Sequence, residues 1–375
     1  MNASDRDTAM MRRALDLARR GLGRVEPNPT VGAVVVREGR IVGEGWHARF
    51  GGPHAEVVAL EAAGADARGA ELFVTLEPCC HHGKTPPCTE AIIAAGVQRV
   101  AAAVQDPSPE AAGRGFAQLR EAGLEVTVGP LEEEARRASA AFFKRTRTGR
   151  PLVIAKWAMT LDGRLADAAG AGRWISGEAS RRRVHEVRRI SDAVMIGSGT
   201  ALADVPSLTV RHVAPLPERG QPTRVVLDGR LRLPTEAEPA ASAHDVPVLV
   251  YTLQETVDGA GERAEALRAA GCEVIPLPAG PGGVDLAAVL DDLGRRGASR
   301  VLVEGGATVL GSLLDQGLAD RVMVFVAPRL LAAGDARSPL EGPAGRRLTD
   351  AIDLKDVTVE WVGEDVLLEG RAGDF

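Results

Sequence analysis

The sequence predicts an α/β protein of two domains. Three observations predict it. Between residues 31 and 145, short apolar runs with strand character alternate with stretches of helical periodicity. The segment Thr146-Arg147-Thr148-Gly149-Arg150-Pro151 then breaks the alternation, as a linker does. A second α/β series begins at Leu152 and runs towards the C-terminus. The chain has 375 residues, enough for two cores of ordinary size, and the expected domains are 1–147 and 148–375.

The elements follow from local pattern. The first twenty residues are polar and then amphipathic, with Met10, Ala14, Leu17 and Ala18 on one helical face. Residues 31–36 and 41–45 read as a strand pair with a Glu-Gly turn between them. His54 to Ala63 reads as a helix after Pro53, Glu71–Thr75 as a strand, and Pro87–Ala95 as a helix. A strand at Val100–Val104, a helix over 111–122, a strand at Leu124–Val128 and a helix at Leu131–Arg145 complete the first half.

In the second half Leu152–Thr160 is a strand, and Gly177–Ile190 a helix with Ser176 as its cap. Ala193–Gly197, Arg224–Asp228, Val248–Thr252, Val301–Glu304 and Arg321–Ala327 are short apolar strands. Val357–Gly370 reads as a terminal strand pair, and 214–222 and 276–283 as loops. Cys272, after a glycine and before a strand, reads as a core residue.

Composition narrows the classes of function. The 45% apolar and 26% charged content describes a globular chain, and no run of 18 apolar residues suits a membrane span. The N-terminus lacks the apolar core of a signal peptide, so the expected compartment is the cytoplasm. A formal charge of −6 argues against general nucleic-acid binding. Seven Phe, four Trp and one Tyr are too few for a base-stacking platform. Lysine occurs only at 84, 144, 156 and 355, which makes each one worth inspecting.

The chemistry concentrates in one window. Cys79, Cys80 and Cys88 fall within ten residues, and His47, His54, His81 and His82 lie nearby. Crowding of this kind in a cytosolic-looking chain reads as metal-binding or catalytic. Pro53-His54-Ala55-Glu56, then Pro78-Cys79 and Cys88, supply the parts of a catalytic zinc site: three ligands, an open position and an acid/base. His-x-Glu…Pro-Cys…Cys is the signature of zinc-dependent base deaminases, in which the glutamate moves protons between water and the departing amine.

Here, however, eight residues separate Cys79 from Cys88, and His82 stands where the second cysteine usually does. Cys88 is the expected ligand because it opens a helix, whose N-terminus favours a thiolate. His82 remains a competitor. A closed zinc knot of Cys79, Cys80, His82 and Cys88 would leave His54 and Glu56 unexplained.

The stretch Thr75-Leu76-Glu77-Pro78-Cys79-Cys80-His81-His82-Gly83-Lys84-Thr85-Pro86-Pro87-Cys88 closely resembles the deaminase half of the bifunctional riboflavin-biosynthesis deaminase/reductase family. Pro27-Asn28-Pro29-Thr30-Val31-Gly32 and Gly45-Trp46-His47 resemble it too. Cys80 stands where that family commonly carries serine. The resemblance implies a cytidine-deaminase-like αβα domain holding one zinc per chain through His54, Cys79 and Cys88, with Glu56 catalytic. It also implies substrate contacts from Asn28, His47, His81 and Lys84.

From residue 151 on, Lys156 to Arg164, Arg173-Trp174-Ile175-Ser176, Gly199-Thr200, Leu202-Ala203-Asp204, Leu208-Thr209-Val210-Arg211 and Val303-Glu304-Gly305-Gly306-Ala307-Thr308 resemble the reductase half, in the expected order. The last block is a strand, a glycine turn and a helix start, which suits phosphate but is not a Rossmann fingerprint. The implied fold is a dihydrofolate-reductase-like α/β domain with an NADPH/NADP+ site.

Ala158, Trp174, Thr200, Asp204, Gly306, Ala307, Thr308, Val309, Leu310, Gly311 and Ser312 match the family's cofactor positions. Gly172, Arg188, Leu208, Arg211 and Glu304 match its substrate positions, with Arg188 and Arg211 suited to gripping phosphate. Gly172 can offer only backbone. At Val205 a second aspartate common in the family is absent.

The implied activity is zinc-dependent hydrolytic deamination of 2,5-diamino-6-(5-phosphoribosylamino)pyrimidin-4-one. NADPH-dependent reduction of the ribosyl group of 5-amino-6-(5-phosphoribosylamino)uracil to ribityl follows. The resemblance further implies small phosphorylated pyrimidines as the partners, and self-association through the reductase half. Two other readings of the residues stand beside it: a nucleic-acid base deaminase with an unrelated appended domain, and a non-catalytic zinc-stapled binding module.

Overall fold

The computed structural model describes residues 3–83, 86–165, 174–342 and 347–373. The chain divides into two compact units, Met1–Gly149 and Arg150–Phe375.

The first unit is built on a five-stranded sheet. Its elements in order are α1 (Ala3–Ala18), β1 (Gly32–Arg37), β2 (Arg40–Trp46), α2 (Ala55–Ala63), β3 (Glu71–Val74), α3 (Cys88–Ala95), β4 (Arg99–Ala102), α4 (Arg114–Glu121), β5 (Glu125–Val128), α5 (Glu132–Ala138) and α6 (Ala140–Thr148). The sheet order is β2-β1-β3-β4-β5; β1 runs antiparallel to both neighbours, and β3, β4 and β5 are parallel.

Glu38 and Gly39 take left-handed conformations in the β1–β2 turn, as a two-residue hairpin requires. The antiparallel pair places Gly32 opposite Trp46 and Ala33 opposite Gly45, so Gly32 and Gly45 face opposite sides of the sheet. A methyl on Gly32 would meet the backbone of Ala14 in α1 at 2.0 Å, and one on Gly45 the Ala55 carbonyl in α2 at 2.4 Å. One helix therefore lies on each face, at backbone contact, giving the αβα layering.

The second unit carries a nine-stranded sheet. Its strands are β6 (Leu152–Thr160), β7 (Ala193–Gly197), β8 (Thr223–Leu227), β9 (Val248–Leu253), β10 (Glu273–Leu277), the small hairpin β11 (Ala279–Gly280) and β12 (Gly283–Val284), β13 (Arg300–Val303), β14 (Arg321–Ala327), β15 (Lys355–Val362) and β16 (Asp365–Arg371). Its helices are α7 (Glu178–Ile190), α8 (Ser198–Asp204), α9 (Gln254–Gly259), α10 (Gly261–Ala269), α11 (Leu286–Arg295) and α12 (Ala307–Asp315).

The order β10-β9-β8-β7-β13-β6-β14 is parallel throughout, and β16 and β15 close one edge antiparallel. Val153, Met195, Val225, Val301 and Val303 are almost wholly buried, as the two-sided burial of a parallel sheet demands. Cys272 is 4% exposed and lies in this unit's core.

Four expectations need correction. The helix over Leu131–Arg145 is two helices: Ser139 breaks it because its hydroxyl donates to Thr30 O (3.0 Å) while Thr30 Oγ1 donates to Ala138 O (3.1 Å). Helix continues through Thr148, so the linker is shorter than the pattern suggested. Ser176 does not cap α7: Gly177 holds that position, and the distant Asp365 carboxylate accepts from Gly177 N (2.7 Å) and from the Ser180 hydroxyl (2.5 Å). Residues 276–283 are not all loop, since β10 runs to Leu277 and the β11–β12 hairpin follows.

The closeness of α2 to β2 yields a prediction. Gly45→Ala should destabilise the first unit by about 1–3 kcal/mol, the usual cost of overpacking. Denaturant titration should locate the loss in the first unit, with the unfolding of the second unit unchanged.

Candidate functional site

In the first unit three segments converge. His54 stands at the N-cap position of α2, Cys79 follows β3, and Cys88 is the first residue of α3. The His54 Nδ1 atom is 3.2 Å from Cys88 Sγ and 3.5 Å from Cys79 Sγ. The three candidate ligand atoms all lie within 4.8 Å of one another, the reach of a single metal ion. His82 and Cys80 are outside this group; His82 is exposed.

The electrostatics suit a cation. The Cys79 thiol is pulled down to about 4, first by its hydrogen bond from the Cys88 thiol and then by His54 and the Cys88 N–H. Cys88 is pushed up by that same bond and by burial. Two thiols that share one proton beside an imidazole are a donor set that a divalent cation would hold fully as thiolates. Glu56, on the first turn of α2 and 3% exposed, is pushed up to about 7 by burial, and the neighbouring Cys79 adds to the shift. A carboxyl so poised can both accept and give a proton near neutral pH.

The support of the cluster is as specific as the cluster. Glu77, 3% exposed, turns its carboxylate onto the start of α4 and accepts from the N–H groups of Gly113 (2.9 Å), Gly115 (2.9 Å), Phe116 (3.3 Å) and Asp106 (3.2 Å). Thr89 of α3 donates its N–H to Cys79 O (3.2 Å), tying the two cysteine segments together. Nothing local in the sequence signals this role for Glu77, because its partners lie 29 to 39 residues away.

His47 is 2% exposed. Its Nδ1 lies 3.0 Å from Pro53 O, which can only accept, so Nδ1 carries the proton. Nε2 is then bare and accepts from Asn28 Nδ2 at 3.2 Å. Burial lowers the His47 pKa and keeps the ring neutral. The ring stands edge-on to His54, with centroids 5.3 Å apart. His81 is exposed, and Lys84 lies outside the described residues.

In the second unit a cleft of about 910 Å³ opens at the carboxyl ends of the parallel strands. Its walls include Ala158 late in β6, Gly197 at the end of β7 and Ser198 after it, Gly229 after β8, and Glu304 after β13. This is where ligands sit in open α/β sheets. Trp174, Thr200, Asp204, Arg188, Arg211, Ser312 and the run Gly306–Leu310 also line it.

Gly305 and Gly306 have φ of 150° and 90°, conformations that L side chains rarely adopt, and they turn the chain into α12. Two of the expected positions do not line the cleft. Gly311 is packed against the Glu341 carbonyl, where a methyl would approach to 1.9 Å. Leu208 buries its side chain in the core, at 1% exposure, so any contact from it must come through its backbone, which is left-handed. Gly172 lies outside the described residues.

Arg188 is committed within the protein. Its fork meets Glu304 at 2.5 and 2.9 Å, and Nη1 donates to Thr209 O at 2.8 Å. Burial pushes the Glu304 carboxyl up, but Arg188 outweighs it and holds it below the usual carboxylate range. Arg211, which lines the same cleft, is exposed.

His185 accepts from the Arg211 N–H at Nδ1 (3.1 Å) and is pulled down to about 4, by burial first and then by Arg188 and Arg211. Lys156, which no motif named as a site residue, also lines the cleft. Burial lowers its pKa, against the pull of Glu304. Its one sequence signal is the scarcity of lysine.

The comparisons agree with this geometry. The RibD C-terminal domain family matches residues 151–368, and the cytidine and deoxycytidylate deaminase zinc-binding region matches 4–104. The riboflavin biosynthesis protein RibD of Aquifex aeolicus is 42% identical over 362 residues, covering 96% of this chain and 97% of the relative. That of Escherichia coli K12 is 42% identical over 371 residues, covering 96% and 98%.

Among solved structures, Acinetobacter baumannii RibD, form 1, superposes with a TM-score of 0.85 at 37% identity, covering 98% of this chain and 99% of that one. The Thermotoga maritima diaminohydroxyphosphoribosylaminopyrimidine deaminase/5-amino-6-(5-phosphoribosylamino)uracil reductase gives 0.83 at 38%, covering 99% of both. The expected pairing of a cytidine-deaminase-like domain with a dihydrofolate-reductase-like domain is borne out. The chain belongs to the RibD family, the bifunctional deaminase/reductase enzymes of riboflavin biosynthesis, with a zinc-binding deaminase half followed by a reductase half.

Proposed function

We propose that the first unit deaminates 2,5-diamino-6-(5-phosphoribosylamino)pyrimidin-4-one. The second unit then reduces the ribosyl group of the resulting 5-amino-6-(5-phosphoribosylamino)uracil with NADPH. The observation that carries this is the buried Glu56 carboxyl beside the three-atom cluster of His54, Cys79 and Cys88.

Those three residues would hold zinc, which when bound supplies Lewis acidity and brings the pKa of water to about 7. Glu56 takes the proton released by the attacking water and returns it to the amine that leaves as ammonia. Asn28, held through Nδ2 by His47, keeps its Oδ1 as an acceptor for a pyrimidine amino or ring N–H. His47 acts mainly by orienting Asn28 and bracing the His54 ring. His81 and Lys84, on the segment between the cysteines, are the assigned partners of the ribose phosphate end.

In the second unit NADPH supplies the hydride when bound. In this reading Ala158, Trp174, Thr200, Asp204, the run Gly306–Leu310 and Ser312 hold it, while Gly311 is spent on packing against Glu341. Gly172, Arg188, Arg211 and Glu304 serve the substrate, and Leu208 can add only a backbone contact. The glycine turn and the first-turn N–H groups of α12 suit a diphosphate. Arg188 fixes Glu304, Arg211 takes the phosphate, and Lys156 Nζ provides the one proton the reduction consumes. The assignment of 1–147 to the deaminase and 148–375 to the reductase draws support from the family matches at 4–104 and 151–368.

Self-association through the second unit is supported by the edge strand β15, which leaves Val359 and Trp361 at 64% and 75% exposure. A cytoplasmic location suits the unpaired thiols of Cys79, Cys80 and Cys88. Among the described residues no helix is long and apolar enough to cross a membrane.

Glu56→Gln should reduce ammonia release by about 10²–10⁴-fold, the usual worth of a positioned proton carrier. NADPH oxidation on supplied uracil intermediate should stay at the wild-type level; equal loss of both reactions would sink the assignment. Metal analysis should find one zinc per chain, lost in Cys88→Ser and kept in His82→Ala. The reverse pattern would move the third ligand to His82.

His185 sets a pH dependence. Its pKa falls from an ordinary 6.5 in the unfolded chain to about 4 in the fold, so between these values the unfolded chain binds more proton. Stability of the second unit should therefore drop as pH falls through that window. His185→Gln should flatten that slope in denaturation curves measured across it.

A further inference from the structure

We propose that Asp162, in the turn after β6, is a positioning residue of the reductase, a role that rests on the reductase reading above. It clasps the segment 328–342 along the cleft and so fixes the groups that this segment presents to the cofactor.

The clasp is assembled within its own turn. Gly163, with φ 74°, donates its N–H to Thr160 O (2.9 Å) and closes the turn. The Thr160 hydroxyl accepts from Arg164 N–H (3.0 Å) and donates to Asp162 Oδ1 (2.6 Å), which orients the carboxylate. Oδ1 then accepts from Leu331 N–H (3.1 Å), and Oδ2 from Ala332 N–H (2.8 Å). These three bonds, the Thr160 hydroxyl first, hold the Asp162 carboxyl down at about 2. It is therefore a full anion near neutral pH, and its hydrogen bonds are charge-assisted. Ala332 is left-handed, with φ 53°, a conformation that an alanine rarely adopts. Its N–H is the one that Oδ2 takes, so the carboxylate holds the segment at its strained residue.

Segment 328–342 needs such a hold because it forms neither helix nor strand, and its backbone groups have no ladder of their own. Leu161 N–H donates to Arg329 O (2.8 Å) beside the clasp, and Leu165 N–H to Arg337 O (2.8 Å) further on. The far end is fastened to α12: Glu341 N–H donates to Ala307 O (3.0 Å), and Thr308 Oγ1 to the Glu341 carboxylate (2.7 Å). The segment is thus a strap from the end of β6 to the glycine turn that opens α12, the turn that suits a diphosphate.

What the strap carries gives the clasp its function. Arg337 and Ser338 line the cleft between the two anchors, and Glu341 lines it beside α12. At the near end Arg329 Nη1 donates to Trp174 O (3.3 Å), so the strap also steadies Trp174, whose ring lies against the Arg181 guanidinium at 4.8 Å. Trp174 and Arg181 line the cleft too. Asp162 is not among the lining residues, so it acts on a bound cofactor through these groups. Without the clasp, binding must order the strap as well as capture the nucleotide, and that ordering is subtracted from the affinity. Lys156, Arg188 and Glu304, on β6, on α7 and after β13, keep their places.

The test is steady-state reduction of the uracil intermediate by the full-length enzyme, together with backbone hydrogen exchange read by mass spectrometry. Asp162→Asn keeps the shape of the side chain but turns one acceptor oxygen into a donor. It should raise KM for NADPH about five- to tenfold, as expected where binding must order one or two side chains, and leave kcat within about twofold. In the same variant the amides of 329–337 should exchange faster, and those of β14 should not. Thr160→Val removes the hydroxyl that orients the carboxylate. It should shift both readouts the same way by less, and it carries the test if Asp162→Asn does not fold. The proposal is overturned if KM for NADPH stays put, if it rises without faster exchange of the strap, or if kcat falls while KM holds. A wild type that does not oxidise NADPH would instead overturn the reductase reading, and this proposal with it.

Discussion

The constraint on which the deaminase half depends is the backbone contact between α2 and β2. At Gly43 and Gly45 the strand carries no side chain, and a methyl there would stand 2.2 Å from Ala59 O or 2.4 Å from Ala55 O. The helix can therefore sit directly on the strand, and its N-terminus, with His54 and Glu56, is placed to within a bond length. Three ligand atoms gathered within 4.8 Å from three segments tolerate little slack. Glu77 performs the matching task on the cysteine side. Its carboxylate collects four N–H groups, one from Asp106 and three from the start of α4, and so pins the end of β3 from which Cys79 projects.

The reductase half solves a similar problem with strands. Seven strands run parallel, and the ends of five of them, β6, β7, β8, β9 and β13, line the cleft. The buried carboxylates are the fasteners: Asp365 at the start of α7, Asp228 in the turn after β8, and Glu304 locked to Arg188 after β13. Each accepts from backbone N–H groups or a guanidinium at low exposure, where such bonds are stronger than in water. None of the three needs to touch a ligand to decide where ligand-binding groups stand.

This division explains what could be read in the chain before its fold was known. His54, Glu56, Cys79 and Cys88 were legible because their chemistry is carried by residue type and short spacing. The strands were legible because burial on both faces writes a continuous apolar run, as at Ala193–Gly197. Ser176 looked like a cap for the opposite reason: local pattern offers a nearby hydroxyl, whereas the real acceptor, Asp365, is 188 residues away from Gly177. Ser139 ends a helix only because Thr30 is there to receive it. Leu208 and Gly311 matched motif positions, yet their side-chain positions are spent on the core and on Glu341. Long-range partners leave no periodicity behind them.

The distribution of charge follows the same logic. A chain of net −6 would repel a phosphorylated substrate and a dinucleotide if its charge were spread evenly. The reductase cleft inverts that sign locally. Arg181, Arg188, Arg211, Arg230, Arg232 and Arg337 all line it, against Asp204, Glu304 and Glu341. Of those acids, Glu304 is neutralised by Arg188, and Glu341 is engaged by Thr308. The surplus of positive charge that remains suits the small phosphorylated pyrimidines on which enzymes of this family act.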